Sequence, residues 1–396
     1  MRSLLRATAL ACWLALTVGC GGKDAAAPVG GPPVASAGSE QYRVRPPRTA
    51  DRPPAPPAPK PPLALAVPPA QPKLFDNDDL SAADANELGA LASQAAEGRK
   101  YKLAVQAQYW AVKKSGGGRY NLACYYARAK RVEEALYFLQ EAAALEGVEA
   151  EDARNDDDLA GLRRDPRFGQ LLAYVKAAGD HAALTTEPQS LCYLPANFDA
   201  SKPTPVVLLL HGRGSRPADF LGDRTQGYAD KIGAPIISVS GTIATGPKSF
   251  VWAVNYEKDF TRLDDAVQKH AAESKFQPDA GRFVAVGFSE GAQVGLDVAL
   301  RYPVYYAGAI AMSPGAAHQL EKFTPTPLHK KRSYVVTIGQ NETPGNRNLA
   351  NIDSSSLSRW GIPVELVTVP KGGHALPPDF DAKFPEWVAR ILAAPK

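Results

Sequence analysis

The chain has few cysteines, no charge imbalance over most of its length, and no apolar run that spans a bilayer comfortably. Each absence excludes something. Four cysteines in 396 residues show no zinc-type spacing, and neither a metal nor a cofactor is expected. The formal net charge of +4 is uneven, because residues 1–72 hold eight Lys+Arg against three Asp+Glu, leaving 37 against 38 for the remainder. The body is therefore near neutral, offers no basic surface, and is not expected to bind nucleic acid. The apolar run Ala7–Val18 is shorter than the roughly 20 residues a membrane span needs. What remains, 45% hydrophobic and 22% charged, is ordinary for a protein with a sizeable core. The length suggests two or three units.

The first twenty residues read as an export signal: Arg2 and Arg6, then the short apolar run, then small residues. Thr17-Val18-Gly19-Cys20 resembles the lipobox of bacterial lipoproteins, although Thr17 stands where a larger apolar residue is usual. The resemblance implies a lipid on Cys20 and membrane tethering. Gly21 rather than Asp after the cysteine implies outer-membrane sorting, so the protein is expected at the periplasmic side or the cell surface. Ordinary cleavage after a small residue, with Cys20 incidental, is the alternative. Of the cysteines, Cys124 and Cys192 then remain in the mature chain. One disulfide between them is open, but their apolar surroundings favour two free thiols.

Residues 21–77 read as a Pro-rich linker, with fifteen of the 35 prolines between Asp24 and Pro72. Proline fixes φ and removes donors, so the stretch is expected to be extended and solvated. It serves as a spacer of on the order of 150 Å at about 3.1 Å per residue. Residues 78–180 are helical in pattern. In "YNLACYYARAKRVEEALYFLQEAAAL" the small residues Ala123, Ala135 and Ala142 fall where two helices pack closely, and Leu122, Tyr126 and Leu139 fill the gaps between pairs. A weaker copy upstream has Leu91, Ala92, Ala104 and Ala111 in register. The pattern resembles tetratricopeptide repeats, which implies a small docking module for a protein partner; a helical bundle without a ligand is the plainer reading.

From 186 to 396 the pattern changes to short β-branched runs separated by amphipathic stretches. "PVVLLLHG", "APIISVSG", "GRFVAVGFS", "AGAIAMSPG", "SYVVTIGQN" and "PVELVTVP" predict strands buried on both faces, and "TRLDDAVQKHAAESKF" and "GAQVGLDVALRY" predict helices. The class is α/β, a mostly parallel sheet with helices on both faces, and ligands gather at the carboxyl ends of such strands. There "GFSEG" places Ser289 between a strand and a helix, the context of a nucleophile elbow, with Gly287 and Gly291 giving the turn room.

A serine hydroxyl needs a base. His374, in the glycine loop of "VTVPKGGHALPP" and downstream of Ser289, is the candidate. His211 in "LLLHGRGS" is expected to orient its loop. His181, His270, His318 and His329 lie in helical or linker contexts and are expected at the surface. The acid that orients the histidine is expected after "SYVVTI", where Glu342 stands; Asp353 is the fallback.

Together "HGRGSRPADF", "GFSEGAQ", "AIAMSPG" and "GGH" resemble the α/β-hydrolase fold and, within it, the phospholipase/carboxylesterase group that includes acyl-protein thioesterases. The resemblance covers about residues 190–394. It implies an oxyanion hole from the backbone N–H groups of Arg213 and Glu290, and hydrolysis of a small ester through an acyl-enzyme. Glu290, Ala292 and Glu342 depart from the family's usual Gln, Gly and Asp. Only 78 residues separate His211 from Ser289 and 85 separate Ser289 from His374, which leaves no room for a large cap domain. A thioesterase or peptidase of the same fold, and a non-catalytic tethered scaffold, are the competing readings.

Overall fold

The computed structural model describes residues 42–44, 54–72, 83–316, 320 and 323–395. The export signal with Cys20, and His318, lie outside the described residues. The first domain is all-helical. Helices α1 (Ala85–Glu97), α2 (Tyr101–Ser115), α3 (Arg119–Arg128) and α4 (Val132–Leu145) are joined by connections of three residues, so successive helices must fold back on one another. Gly116, in left-handed conformation at φ 71°, stops α2. Ala104, Ala123, Ala135 and Ala142 are fully buried, as are Leu122, Tyr126 and Leu139; Leu91, from the weaker copy, is half-buried. A short helix α5 (Ala150–Asn155) and a 3-10 turn (Asp157–Leu162) lead into α6 (Pro166–Thr185). The start of α6 follows from Asp165-Pro166: the aspartate side chain accepts from the Arg167 N–H, and proline at the first turn gives up a donor that would have no partner.

The second domain is a seven-stranded sheet. Its strands are β1 (Ser190–Tyr193), β2 (Thr204–Leu210), β3 (Ile236–Val239), β6 (Pro278–Phe288), β7 (Tyr306–Met312), β8 (Ser333–Gly339) and β9 (Val364–Val369), arranged in the order β1-β3-β2-β6-β7-β8-β9. Only β1 runs antiparallel to its neighbour. Strand alternation sorts the core. Val206, Leu208 and Leu210 face the side covered by α8 (Tyr256–Ser274), α9 (Glu290–Arg301) and α10 (Pro344–Arg359). Val207 and Leu209 face α7 (Arg224–Ile232) and α11 (Phe380–Leu392). A hairpin of β4 (Ile243–Gly246) and β5 (Ser249–Val251) packs against α6 and α4, and the Lys248 N–H donates to the Glu146 carbonyl at 3.2 Å. The six expected strands are β2, β3 and β6 to β9; β1, β4 and β5 are too short and too irregular in pattern to stand out.

Two expectations are corrected. The Pro-rich stretch is extended where it is described, but it is not solvated throughout. Tyr42 is buried in the hydrolase-domain core against Phe283 and Tyr305, with ring centroids 5.2 and 6.0 Å away, and its hydroxyl donates to Asp264. Leu63 and Leu65 pack on the helical core. Nor are His270 and His329 surface residues. Both are buried, His270 against Ser190 Oγ at 2.9 Å and His329 donating to the Leu300 carbonyl at 2.8 Å. Helical periodicity alone does not tell which face of such a segment points inward. Cys124 and Cys192 are free thiols.

Phe384 on α11 is fully buried, so Phe384→Ala should cost about 3–5 kcal/mol of stability. Leu184→Ser, at a position 52% exposed, should change stability by less than about 0.5 kcal/mol. Urea midpoints of the two variants check the contrast.

Candidate active site

Strand β6 is the middle strand of the sheet, and the chain must turn sharply at its end to start α9. The turn is Ser289, at φ 55° and ψ −121°, a conformation that costs a non-glycine residue on the order of 1–3 kcal/mol. Its surroundings hold it there. The Ser289 N–H donates to the Met312 carbonyl at 2.9 Å, and the Ser289 carbonyl accepts from Ala292 and Gly315, each at 3.1 Å. The two flanking glycines are required by close approach: a Cβ on Gly287 would collide with the Gly291 backbone, and one on Gly291 with the Leu210 and His211 carbonyls.

His374 lies on the loop after β9. Its Nε2 is 3.0 Å from Ser289 Oγ, and its Nδ1 is 2.7 Å from Oε2 of Glu342, which follows β8. A carboxylate can only accept, so Nδ1 carries the proton and Nε2 is free to accept from the serine. Glu342 is buried, and its Oε1 accepts from the Thr343 N–H at 2.9 Å and from Asn346 Nδ2 at 3.3 Å. The histidine ring packs on Phe288, with centroids 4.8 Å apart. Asp353 is elsewhere, fully buried on α10, with the Gln293 side chain and the Asp297 charge beside it. Burial first, then the charge of Asp297, pushes its carboxyl up to about 7.

The loop after β2 runs beside the serine, since a Cβ on Gly212 would lie 3.3 Å from Ser289 Cβ. His211 pins this loop. Its Nδ1 donates to the Gly212 carbonyl at 2.7 Å, and its Nε2 accepts from the Gly241 N–H at 2.9 Å. Burial pushes its pKa down to about 4, so the ring stays neutral. Trp252 Nε1 donates to the His211 carbonyl at 2.9 Å. Arg213 follows Gly212 on this loop, and Glu290 follows Ser289 as the first residue of α9.

The side chains of these two residues do something sequence reasoning missed. The Glu290 carboxylate is buried and accepts from the Trp252 N–H at 2.9 Å and from Arg213 Nη1 at 3.1 Å. Arg213 also pairs with Glu149 and, at 3.2 Å, with Asp152, both from the helical domain. The loop beside the serine is thus clamped by an ion cluster contributed by both domains. A cleft of about 510 Å³ opens next to it, lined by Tyr120, Asn121, Glu149, Asp152, Arg213 and Lys248; Ser289 and His374 do not line it. Carboxylates some sixty residues upstream of Arg213 carry no sequence mark that would have linked them to it. No group of three His, Cys, Asp or Glu side chains poised for a metal occurs among the described residues.

A mostly parallel α/β sheet with a Ser-His-Glu chain at its carboxyl edge defines an α/β-hydrolase fold with a serine-hydrolase site. Residues 182–361 match the family model described as "Putative esterase", a span that includes Ser289 and Glu342 and ends before His374. Among solved structures, the carboxylesterase of Bacillus cereus is 21% identical over 54% of this chain and 99% of its own, at a TM-score of 0.39. The S-formylglutathione hydrolase of Staphylococcus aureus is 16% identical over 52% and 96%, at 0.36. An uncharacterised Bacillus cereus protein is 18% identical over 78% and 98%, at 0.39. No curated protein matches the chain.

The buried Asp353 makes a pH prediction. Its folded pKa is raised, so the folded state binds the proton more tightly than the unfolded chain, and stability is lost as pH rises from about 4 through about 7. Asp353→Asn removes the ionisation. It should raise Tm more at pH 8 than at pH 5, as calorimetry at the two pH values will read; an equal shift would contradict the assignment.

Proposed function

We propose that the protein is a serine carboxylesterase acting on small or exposed esters. Ser289 Oγ attacks the ester carbonyl while its proton passes to His374 Nε2. The oxygen of the tetrahedral intermediate is held by the N–H groups of Arg213 and Glu290. Collapse breaks the bond to the alcohol oxygen, which takes the proton from His374 and leaves an acyl-Ser289. Water then repeats the sequence, releasing the acid and restoring the serine. Glu342 keeps the proton on Nδ1 and stabilises the imidazolium that forms in each half. The observation that carries the reading is the unbroken chain from Ser289 Oγ through His374 to the buried Glu342 carboxylate.

The match to the esterase family model favours an oxygen ester over a thioester or peptide bond. A tethered scaffold would not need a strained serine turn, which costs stability and serves only to present Oγ. The reading of Met1–Cys20 as a lipoprotein signal would place this activity on the outer side of a membrane, with Cys20 as the anchor. Incorporation of labelled palmitate that is lost in Cys20→Ala tests that placement.

A series of p-nitrophenyl esters of rising chain length tests the chemistry. Ser289→Ala and His374→Ala should each lose at least about 10⁴-fold in kcat/KM, and Glu342→Ala about 10²–10⁴-fold. Asp353→Asn should stay within about threefold of wild type. A fluorophosphonate should label Ser289 in the wild type and fail to label His374→Ala. Equal rates for wild type and Ser289→Ala would remove the proposal.

A further inference from the structure

Residues 54–72 form no helix or strand, yet they lie in an ordered path over the helical domain. Three successive helices each contribute one polar contact to it. Gln140 of α4 grips the backbone of Leu63 from both sides: its Oε1 accepts from the Leu63 N–H and its Nε2 donates to the Leu63 carbonyl, each at 3.1 Å. Tyr126 Oη of α3 accepts from Gln71 Nε2 at 2.9 Å. Trp110 Nε1 of α2 donates to the Pro72 carbonyl at 3.2 Å. From Leu65 onward the exposure pattern has a period of three, with Leu65, Pro68 and Gln71 half-buried and residues 66, 67, 69 and 70 exposed; Leu63, also half-buried, falls outside that repeat. Three residues per turn is the repeat of polyproline II.

Gln140 carries the argument furthest. With the segment in place it is 9% exposed. Both ends of its amide are spent on one residue of the strand. Without that segment, the amide donor and acceptor of Gln140 would open onto the groove with only water to pair them. Two of the three contacts go to main-chain groups and the rest of the fit comes from Leu and Pro side chains, which is how grooves read preformed Pro-rich strands.

We propose that the face formed by α2, α3 and α4 is a binding site for an extended Pro-rich peptide, and that its resident ligand is this chain's own residues 59–72. The site is independent of the chemistry at Ser289. The stretch that reads as a free spacer is in this account a ligand held in cis.

The test uses the whole chain with residues 59–72 replaced by an equal length of Gly and Ser. A labelled peptide of sequence PKPPLALAVPPAQP, followed by fluorescence anisotropy, should bind this variant saturably. It should bind at least tenfold more weakly to wild type, whose groove is filled. Adding Gln140→Leu to the variant should weaken binding at least tenfold, and so should replacing the peptide's prolines by glycine. No binding by a variant that melts like wild type, or binding indifferent to Gln140→Leu, would overturn the proposal. If the replacement unfolds the chain, amide exchange decides the matter. Leu63 should be protected in wild type and lose protection in Gln140→Leu, and an unprotected Leu63 in wild type would overturn it.

Discussion

The site depends on one close approach. Where β6 passes into α9, the backbone of Gly287 lies against that of Gly291, and Gly291 lies against the end of β2. Only residues without a Cβ allow that spacing. The spacing forces the chain through a turn so tight that Ser289 takes a left-handed conformation. The turn aims Oγ out of the sheet edge at His374, and it puts the Glu290 N–H at the start of a helix, where the first N–H groups have no intrahelical acceptor. A looser turn would satisfy the backbone and lose the serine. The strain is sustained because β6 is the middle strand, fixed on both sides by parallel partners.

Around that turn the sheet works as a frame. The His374 loop and Glu342 follow adjacent strands β9 and β8, so their separation is set by strand spacing and the loops need only be short. The loop beside Ser289 follows β2 and is held by a neutral His211 on one side and by Arg213 on the other. Arg213 answers to both domains, since it binds Glu290 beside the serine and Glu149 and Asp152 from the helices. The helical domain is therefore part of what positions the site as well as a neighbour of it. The N-terminal segment adds two further ties, Tyr42 in the hydrolase core and residues 59–72 on the helices. At most about 80 Å of fully extended chain can then lie between Cys20 and Tyr42.

Much of this was legible in sequence, for a physical reason. Strands buried on both faces must be continuously apolar, so β2, β3, β6, β7 and β8 announce themselves, whereas β9 is a half-exposed edge strand marked only by its β-branched run; candidate catalytic residues at the carboxyl ends of these strands can be found by counting from them. Ser289, His374 and Glu342 were located in that way, and the structure brings these three together while setting Asp353 apart. What stayed hidden has no local signature. The buried carboxylate of Glu290 looks in sequence like any helix N-terminal glutamate. The partners of Arg213 lie in another domain. His270 and His329 sit in polar-looking stretches whose inward face only packing defines. Proline content predicts an extended strand but is silent on what the strand lies against, so the docking of Leu63 through Gln140 could not be read from it.

The central claim is that Ser289 becomes acylated. Intact-protein mass spectrometry after rapid mixing with p-nitrophenyl acetate measures this directly. The account predicts one added acetyl group, mapped by digestion to the peptide carrying Ser289, forming within a single turnover and absent in Ser289→Ala. An unmodified Ser289 during active turnover, or an acetyl group that maps to another residue, would contradict it.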